Sequence, residues 1–298
     1  MNGYRITKRG KAAIYVISFL IIFLIGNFIF KLHVNAYNSI KRIPFNNKTN
    51  SQGITLLNKQ DITINNNNPN LILSKTTSSV KSETLVNNQE LSYTVESAYV
   101  KDGKKIAFLT FDDGPSSDNT LRILQILKFY KIKATFFIIG SSAEKNRDIL
   151  KAVVNDGHAI GNHTYSHVYK TIYSNVPTFI NEIKKTDSIF KDVLGSSFST
   201  RLVRFPGGAF QTTAMKPFVK ELNNEGYVNI DWNVINGDGE GTNIPPDKLL
   251  KKLKDTVLDQ SHLVILMHDS STKRTSVETL PQIIEYLKAK GYEFATLR

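Results

Sequence analysis

From Lys104 onward, short runs of β-branched and aromatic residues alternate with amphipathic segments, and no other feature constrains the fold as tightly. KIAFLTF (105–111), ATFFII (134–139), HAIG (158–161), TRLVRF (200–205), YVNIDW (227–232), HLVILMHD (262–269) and YEFATL (292–297) read as strands. Helices are predicted over 118–132, 143–156, 176–194, 212–225, 246–260 and 276–290. In the first, Leu121, Leu124 and Leu127 share a face and Asp118 is placed to cap it; Gly157 is placed to end the second, and Pro246 suits the first turn of the fifth. About seven such βα steps imply parallel strands joined by right-handed crossovers. The nearly unbroken apolar run at 262–269 fits a strand buried on both faces. Periodicity alone leaves a barrel and an open sheet both standing.

The 298-residue chain contains no cysteine, so disulfides, thiolate metal sites and cysteine nucleophiles are excluded. Its net charge of +12 is unevenly spread. Residues 1–50 carry eight Lys/Arg and no acid, whereas residues 51–104 are balanced and the remainder is only mildly basic. The excess flanks an apolar stretch and forms no basic domain, which argues against nucleic acid as a partner. That stretch, 12–30, is uncharged and long enough to span a bilayer. Arg5, Lys8, Arg9 and Lys11 before it predict a cytoplasmic N-terminus and an extracellular remainder. The alternative is a signal peptide cleaved near Val34-Asn35-Ala36, with secretion; the length of the apolar run and the intervening Lys31 and His33 favour an uncleaved anchor. Residues 31–98, rich in Asn, Ser, Thr and Lys, read as an extended low-complexity stalk. The organisation expected is a basic cytoplasmic segment (1–11), a transmembrane anchor (12–30), a stalk (31–98) and an α/β domain (99–298).

The ends of the predicted strands carry most of the polar chemistry. Asp112 and Asp113 follow the first strand, His163 and His167 the third; Arg204 and Pro206 end the fourth, Asp238 follows the fifth, and His268 and Asp269 end the sixth. Parallel βα arrays place all C-terminal strand ends on one rim, where α/β enzymes build their sites. In HTYSH (163–167) the histidines stand four apart, on one face if helical. With Asp113 they make two imidazoles and a carboxylate, a set that suits Zn²⁺ and leaves positions open for water and substrate. Asp112 beside such an ion can stay ionised and accept a proton. Arg204 can pair with Asp112 and hold it charged, and His268 can protonate a leaving group.

Together these residues resemble the polysaccharide deacetylase family, whose catalytic region is the NodB homology domain (carbohydrate esterase family 4). TFDDGP (110–115), GHAIGNHTYSH (157–167), RFPGG (204–208), WNVINGDG (232–239) and ILMHD (265–269) look like its five motifs in order. The resemblance implies an irregular (β/α) barrel of about seven parallel strands. It implies Asp112 as base, Asp113, His163 and His167 as metal ligands, Arg204 as the partner of Asp112, and Asp238 as the group tethering the acid His268. Pro206, Gly207 and Trp232 would border the substrate, with the Gly207 N–H serving the oxyanion. Zinc is the cation expected, with cobalt, nickel or manganese as alternatives. Two positions depart from the family pattern: Gly239 stands where Trp is common, and Gly207 where a side chain is common. Altered substrate fit with activity retained is the expectation. A stalk of about 70 residues at about 3.3 Å each reaches well over 100 Å, which suits a polymer outside the membrane. The function expected is metal-dependent hydrolysis of N-acetyl groups from a wall polysaccharide, peptidoglycan first, with release of acetate. The alternatives are an O-acetyl esterase on a wall polymer and a non-catalytic wall-binding protein that kept the metal site.

Overall fold

The structure is a computed structural model and describes residues 92–210 and 212–298. In chain order it contains β1 (Ser92–Tyr93), β2 (Ile106–Gly114), α1 (Asn119–Tyr130), β3 (Thr135–Ile138), α2 (Gly140–Lys145), α3 (Arg147–Asn155), β4 (Ala159–Asn162), α4 (Tyr169–Ile172) and α5 (Val176–Leu194). There follow β5 (Leu202–Val203), α6 (Lys216–Asn224), β6 (Val228–Asn229), β7 (Val234–Ile235), α7 (Pro246–Thr256), β8 (His262–His268), α8 (Arg274–Ala289), β9 (Glu293–Phe294) and β10 (Thr296–Leu297). The basic segment, the expected anchor at 12–30 and the stalk through residue 91 lie outside the described residues. Among the described residues no helix is long and apolar enough to cross a membrane.

Every ladder is parallel, in the order β6-β5-β4-β3-β2-β8-β7, with β9 beside the start of β2. Seven flat strands about 4.8 Å apart would put β6 and β7 about 29 Å from each other. They are joined by residues 230–233 alone, and such a link spans at most about 17 Å. The sheet must therefore curl, and it forms an incomplete barrel: no ladder joins β6 to β7 among the described residues. This is the irregular barrel the motifs imply, with eight strands in the sheet where about seven were expected.

Strand alternation separates the two faces. On the inner face Ile106 and Phe108 of β2, Phe137 of β3, Leu202 of β5, Val264 of β8, Ile230, Ala98 and Leu297 form one buried cluster. On the outer face Val203 and Phe205 pack with Phe179, Ile180 and Ile183 of α5 and Leu222 of α6. Counting by twos up the inner face leads from Ile106 and Phe108 to Thr110 and Asp112, from Leu202 to Arg204, and from Val264 to His268. The inside of the barrel is thus apolar below and charged at its upper rim.

Several boundaries differ from expectation for local reasons. The 143–156 helix breaks at Asn146, whose side-chain amide donates to Pro115 O (2.8 Å) and Ser142 O (3.2 Å). Asp118 does not cap α1; Ser116 Oγ accepts from the N–H groups of Asn119 (3.1 Å) and Thr120 (3.2 Å). The strands expected at 200–205 and 227–232 keep only two-residue ladders. Residues 92–98, placed by composition in the stalk, fold with the domain: β1 pairs with β10, and Ala98 is fully buried.

Candidate active site

Asp112 and Asp113 do not follow the first strand but lie within it. In regular extended chain they would face opposite sides of the sheet. The ladder to β3 shifts register between Asp112 and Gly114, and Asp113 takes φ 76°. This bulge turns both carboxylates toward one imidazole: His163 Nε2 lies 3.8 Å from Asp112 Oδ2 and 3.5 Å from Asp113 Oδ1. Gly114 is obligatory, because a Cβ there would lie 2.1 Å from Asp269 Oδ2. Asp269 is fully buried; burial pushes its carboxyl up to about 7, with the charges of Asp113 and Asp112 adding to the rise.

HTYSH is not helical, contrary to the four-apart reading. Thr164 and His167 both have positive φ (64° and 56°). The loop is held from α5 by Glu182, whose Oε2 accepts from the N–H groups of Tyr165 (3.1 Å) and Ser166 (2.6 Å). His163 Nδ1 lies 2.7 Å from the Arg204 carbonyl, which can only accept. Nδ1 therefore carries the proton, and Nε2 presents its lone pair to the rim. Burial pushes His163 down to about 3, so the ring is neutral. One donor atom each from Asp113, His163 and His167 lie within 4.8 Å of one another. Asp113 Oδ1 is buried without a hydrogen bond, 3.5 Å from His163 Nε2 and 3.3 Å from His167 Nε2. Ligand atoms about 2.1 Å from a tetrahedral zinc stand about 3.4 Å apart. An orphaned carboxylate oxygen between two imidazole nitrogens fits a divalent cation in chemistry and in spacing.

Arg204 is fully buried. Its guanidinium donates to Asp112 Oδ1 (2.9 Å), Thr110 Oγ1 (2.6 Å), Ile230 O (3.1 Å) and Asp231 O (3.3 Å), and it lies 4.0 Å from the centre of the Phe137 ring. Burial raises the Asp112 pKa, while Arg204 and then His268 oppose that rise. Among the described residues Oδ2 of Asp112 has no hydrogen-bond donor.

His268 is the register partner of Asp112 across β8 and β2. Its Nδ1 lies 2.7 Å from Asp238 Oδ1, and its backbone N–H donates to Asp238 Oδ2 (2.9 Å). Ser276 Oγ also donates to Asp238 Oδ2 (2.6 Å). Burial opposes charge on His268, but the hydrogen bond and charge of Asp238 prevail, with Asp112 and Asp113 adding, and raise it to about 9. Asp238 is driven the other way: burial raises it, and the bonds from His268 and Ser276 leave it below the ordinary carboxylate range. Imidazolium and carboxylate face each other, and Nε2–H points away from Asp238.

The border residues group around the same rim. Gly207 (φ +77°) is exposed, and among the described residues its N–H has no hydrogen-bond partner. Pro206 O accepts from Tyr173 Oη (2.7 Å). Trp232 is half-buried, 5.7 Å above Arg204 and edge-on to exposed Phe210 (4.8 Å). Gly239 lies against the imidazole edge, where a Cβ would come 3.2 Å from His268 Cε1. Sequence reasoning missed Thr110, Ser276 and Tyr169. Thr110 was discoverable, since it stands two before Asp112 on the same face. Tyr169 is half-exposed beside His167 (ring centres 5.6 Å apart); burial, then the charges of Asp113 and Asp112, raise its phenol pKa.

The family profile described as polysaccharide deacetylase matches residues 99–228. A peptidoglycan-N-acetylglucosamine deacetylase of Bacillus cereus is 32% identical over 69% of this chain and 74% of its own length. Among solved structures, a Streptococcus mutans CE4 esterase superposes with TM-score 0.65 at 35% identity, covering 70% of this chain and 92% of that one. The catalytic domain of a peptidoglycan N-acetylglucosamine deacetylase from Eubacterium rectale gives TM-score 0.61 at 31% identity, covering 67% and 91%.

Proposed function

Because this chain belongs to the polysaccharide deacetylase family, hydrolases of carbon–nitrogen bonds other than peptide bonds, we propose that it removes N-acetyl groups from peptidoglycan amino sugars and releases acetate. The observation that carries this reading is the convergence on one rim of the Asp113–His163–His167 set, a free carboxylate oxygen on Asp112 and an imidazolium on His268. The named activity of the Bacillus cereus and Eubacterium rectale relatives supports the substrate class.

Asp113, His163 and His167 would hold the divalent cation, zinc first. Bound there, it would polarise the acyl carbonyl, acidify a water and by its charge favour ionised Asp112. Asp112 Oδ2 takes a proton from the attacking water, while Arg204 grips Oδ1 and fixes the carboxylate plane. The exposed Gly207 N–H stabilises the developing oxyanion. His268 donates its Nε2 proton to the departing amine, which as an unprotonated anion would leave poorly; Asp238 holds the ring in place and keeps it charged. The expected anchor at 12–30 would keep this domain outside the membrane within reach of the wall.

The test is mass spectrometry of peptidoglycan fragments incubated with the purified chain and Zn²⁺ or Co²⁺. Loss of one acetyl mass from a glucosamine or muramic residue, abolished by chelator, is expected. Acetate released only from O-acetylated fragments would replace the amidase reading with an esterase. Fragment binding with no acetate released would replace it with a wall-binding role.

A further inference from the structure

Position 207 has no side chain, yet the space beside it is filled. An ideal Cβ on Gly207 would lie 2.9 Å from Tyr169 Oη and 3.2 Å from Tyr169 Cε1. The phenol from α4 therefore stands where a side chain at 207 would begin. The ring is held edge-on between His167 (5.6 Å) and Tyr173 (5.8 Å), and Tyr173 is itself tied to Pro206 O (2.7 Å). Among the described residues its own hydroxyl, in contrast, makes no hydrogen bond.

A Cβ is about 2.5 Å from its own backbone nitrogen. With 2.9 Å from that Cβ position to the hydroxyl, Tyr169 Oη and Gly207 N are at most about 5.4 Å apart. Two donors can share one acceptor at about 2.9 Å each when they are no more than about 5.8 Å apart. The pair meets that bound, and among the described residues neither the N–H nor the O–H has a hydrogen-bond partner. Resting on the amidase reading above, we propose that Tyr169 is a catalytic residue. Its hydroxyl donates a hydrogen bond, together with the Gly207 N–H, to the acetamide oxygen as that oxygen becomes negative. The proton stays on the phenol throughout. A glycine at 207 is what admits the ring, so the side chain missing there is supplied from α4.

The experiment compares the wild-type chain with Tyr169→Phe on N-acetylglucosamine oligomers. Because the ring is half-exposed and Phe keeps it, Tm should hold. Loss of one oxyanion donor should lower kcat by about ten- to a hundredfold with KM changed less than about twofold. Affinity for a methylphosphonamidate analogue of the acetamide should fall by the same factor. An unchanged kcat in Tyr169→Phe overturns the assignment, as does a rise in KM alone, which would mean a hydroxyl contact to the sugar made equally before and in the transition state. A wild-type chain that releases no acetate from any N-acetylated fragment overturns the amidase reading instead.

Discussion

Replacing Asp238 with Asn isolates the electrostatics of the proposed acid. Asn preserves the size of the side chain and can still accept from His268 Nδ1–H, but it removes the negative charge 2.7 Å from that nitrogen. It also sets an amide donor against His268 N–H and Ser276 Oγ–H, which now both donate to Asp238 Oδ2. His268 is raised from 6.5 to about 9 in spite of its burial. At pH 7.5 that leaves roughly 97% of the ring protonated; at an ordinary value near 6.5 the fraction is about 9%, and lower once burial acts unopposed. kcat/KM at pH 7.5 should therefore fall by up to about tenfold. The basic limb of the loaded enzyme's pH profile, which the cation sets somewhat below the metal-free value of about 9, should move to lower pH, toward or below about 6.5. Stability follows the same linkage. A raised His268 contributes stability that is present below about 6.5 and lost as pH rises through about 9. A lowered Asp238 contributes stability that is present above its ordinary value of 3.8 and lost as pH falls through its depressed one. The shift on His268 corresponds to about 3 kcal/mol, so Asp238→Asn should cost on that order near pH 6 and clearly less near pH 10. Acetate release and urea unfolding measured from pH 5 to 10 supply both readouts. A basic limb that stays in place in the variant would refute the reasoning.

Asp113→Ala removes the orphaned oxygen between the imidazoles and should abolish both stoichiometric zinc uptake and the rise in Tm that zinc gives the wild-type chain, read by calorimetry. Loading wild-type chain with Zn²⁺ should pull His268 down from about 9, since added positive charge disfavours the imidazolium; histidine NMR reports it. Arg204→Met leaves Asp112 buried and unpaired and should cost about 3–5 kcal/mol in urea unfolding, with part recovered by Asp112→Leu in the same chain. Gly114→Ala drives a methyl group into the Asp269 carboxylate and should prevent soluble expression unless Asp269 is shortened to Ala.

How far this site was legible depended on how local each cause is. The apolar β runs and the polar residues closing them are local, and they sufficed to place Asp112, His163, Arg204 and His268 on one rim. The bulge at Asp113 was not legible: alternation sends neighbouring side chains apart, and nothing in the sequence marks the register shift between Asp112 and Gly114. HTYSH carries a helical spacing, but its shape is imposed by Glu182, which lies 16 residues beyond Ser166. Short spacing also hid Tyr169, which matters only because position 207, in another loop, lacks a side chain. The pairing of β1 with β10 joins residues about two hundred apart, and the polar composition before Ser92 gave no hint of it.

The central claim is that Asp113, His163 and His167 grip one divalent ion with the Asp112 carboxylate free beside it. Anomalous diffraction at the zinc edge, on crystals of the zinc-loaded chain, tests it most directly. The account predicts one strong peak bonded to those three side chains, with Arg204 still holding Asp112 Oδ1. A chain that takes up zinc but shows its peak elsewhere, or coordinates it through Asp112 in place of Asp113, would contradict it.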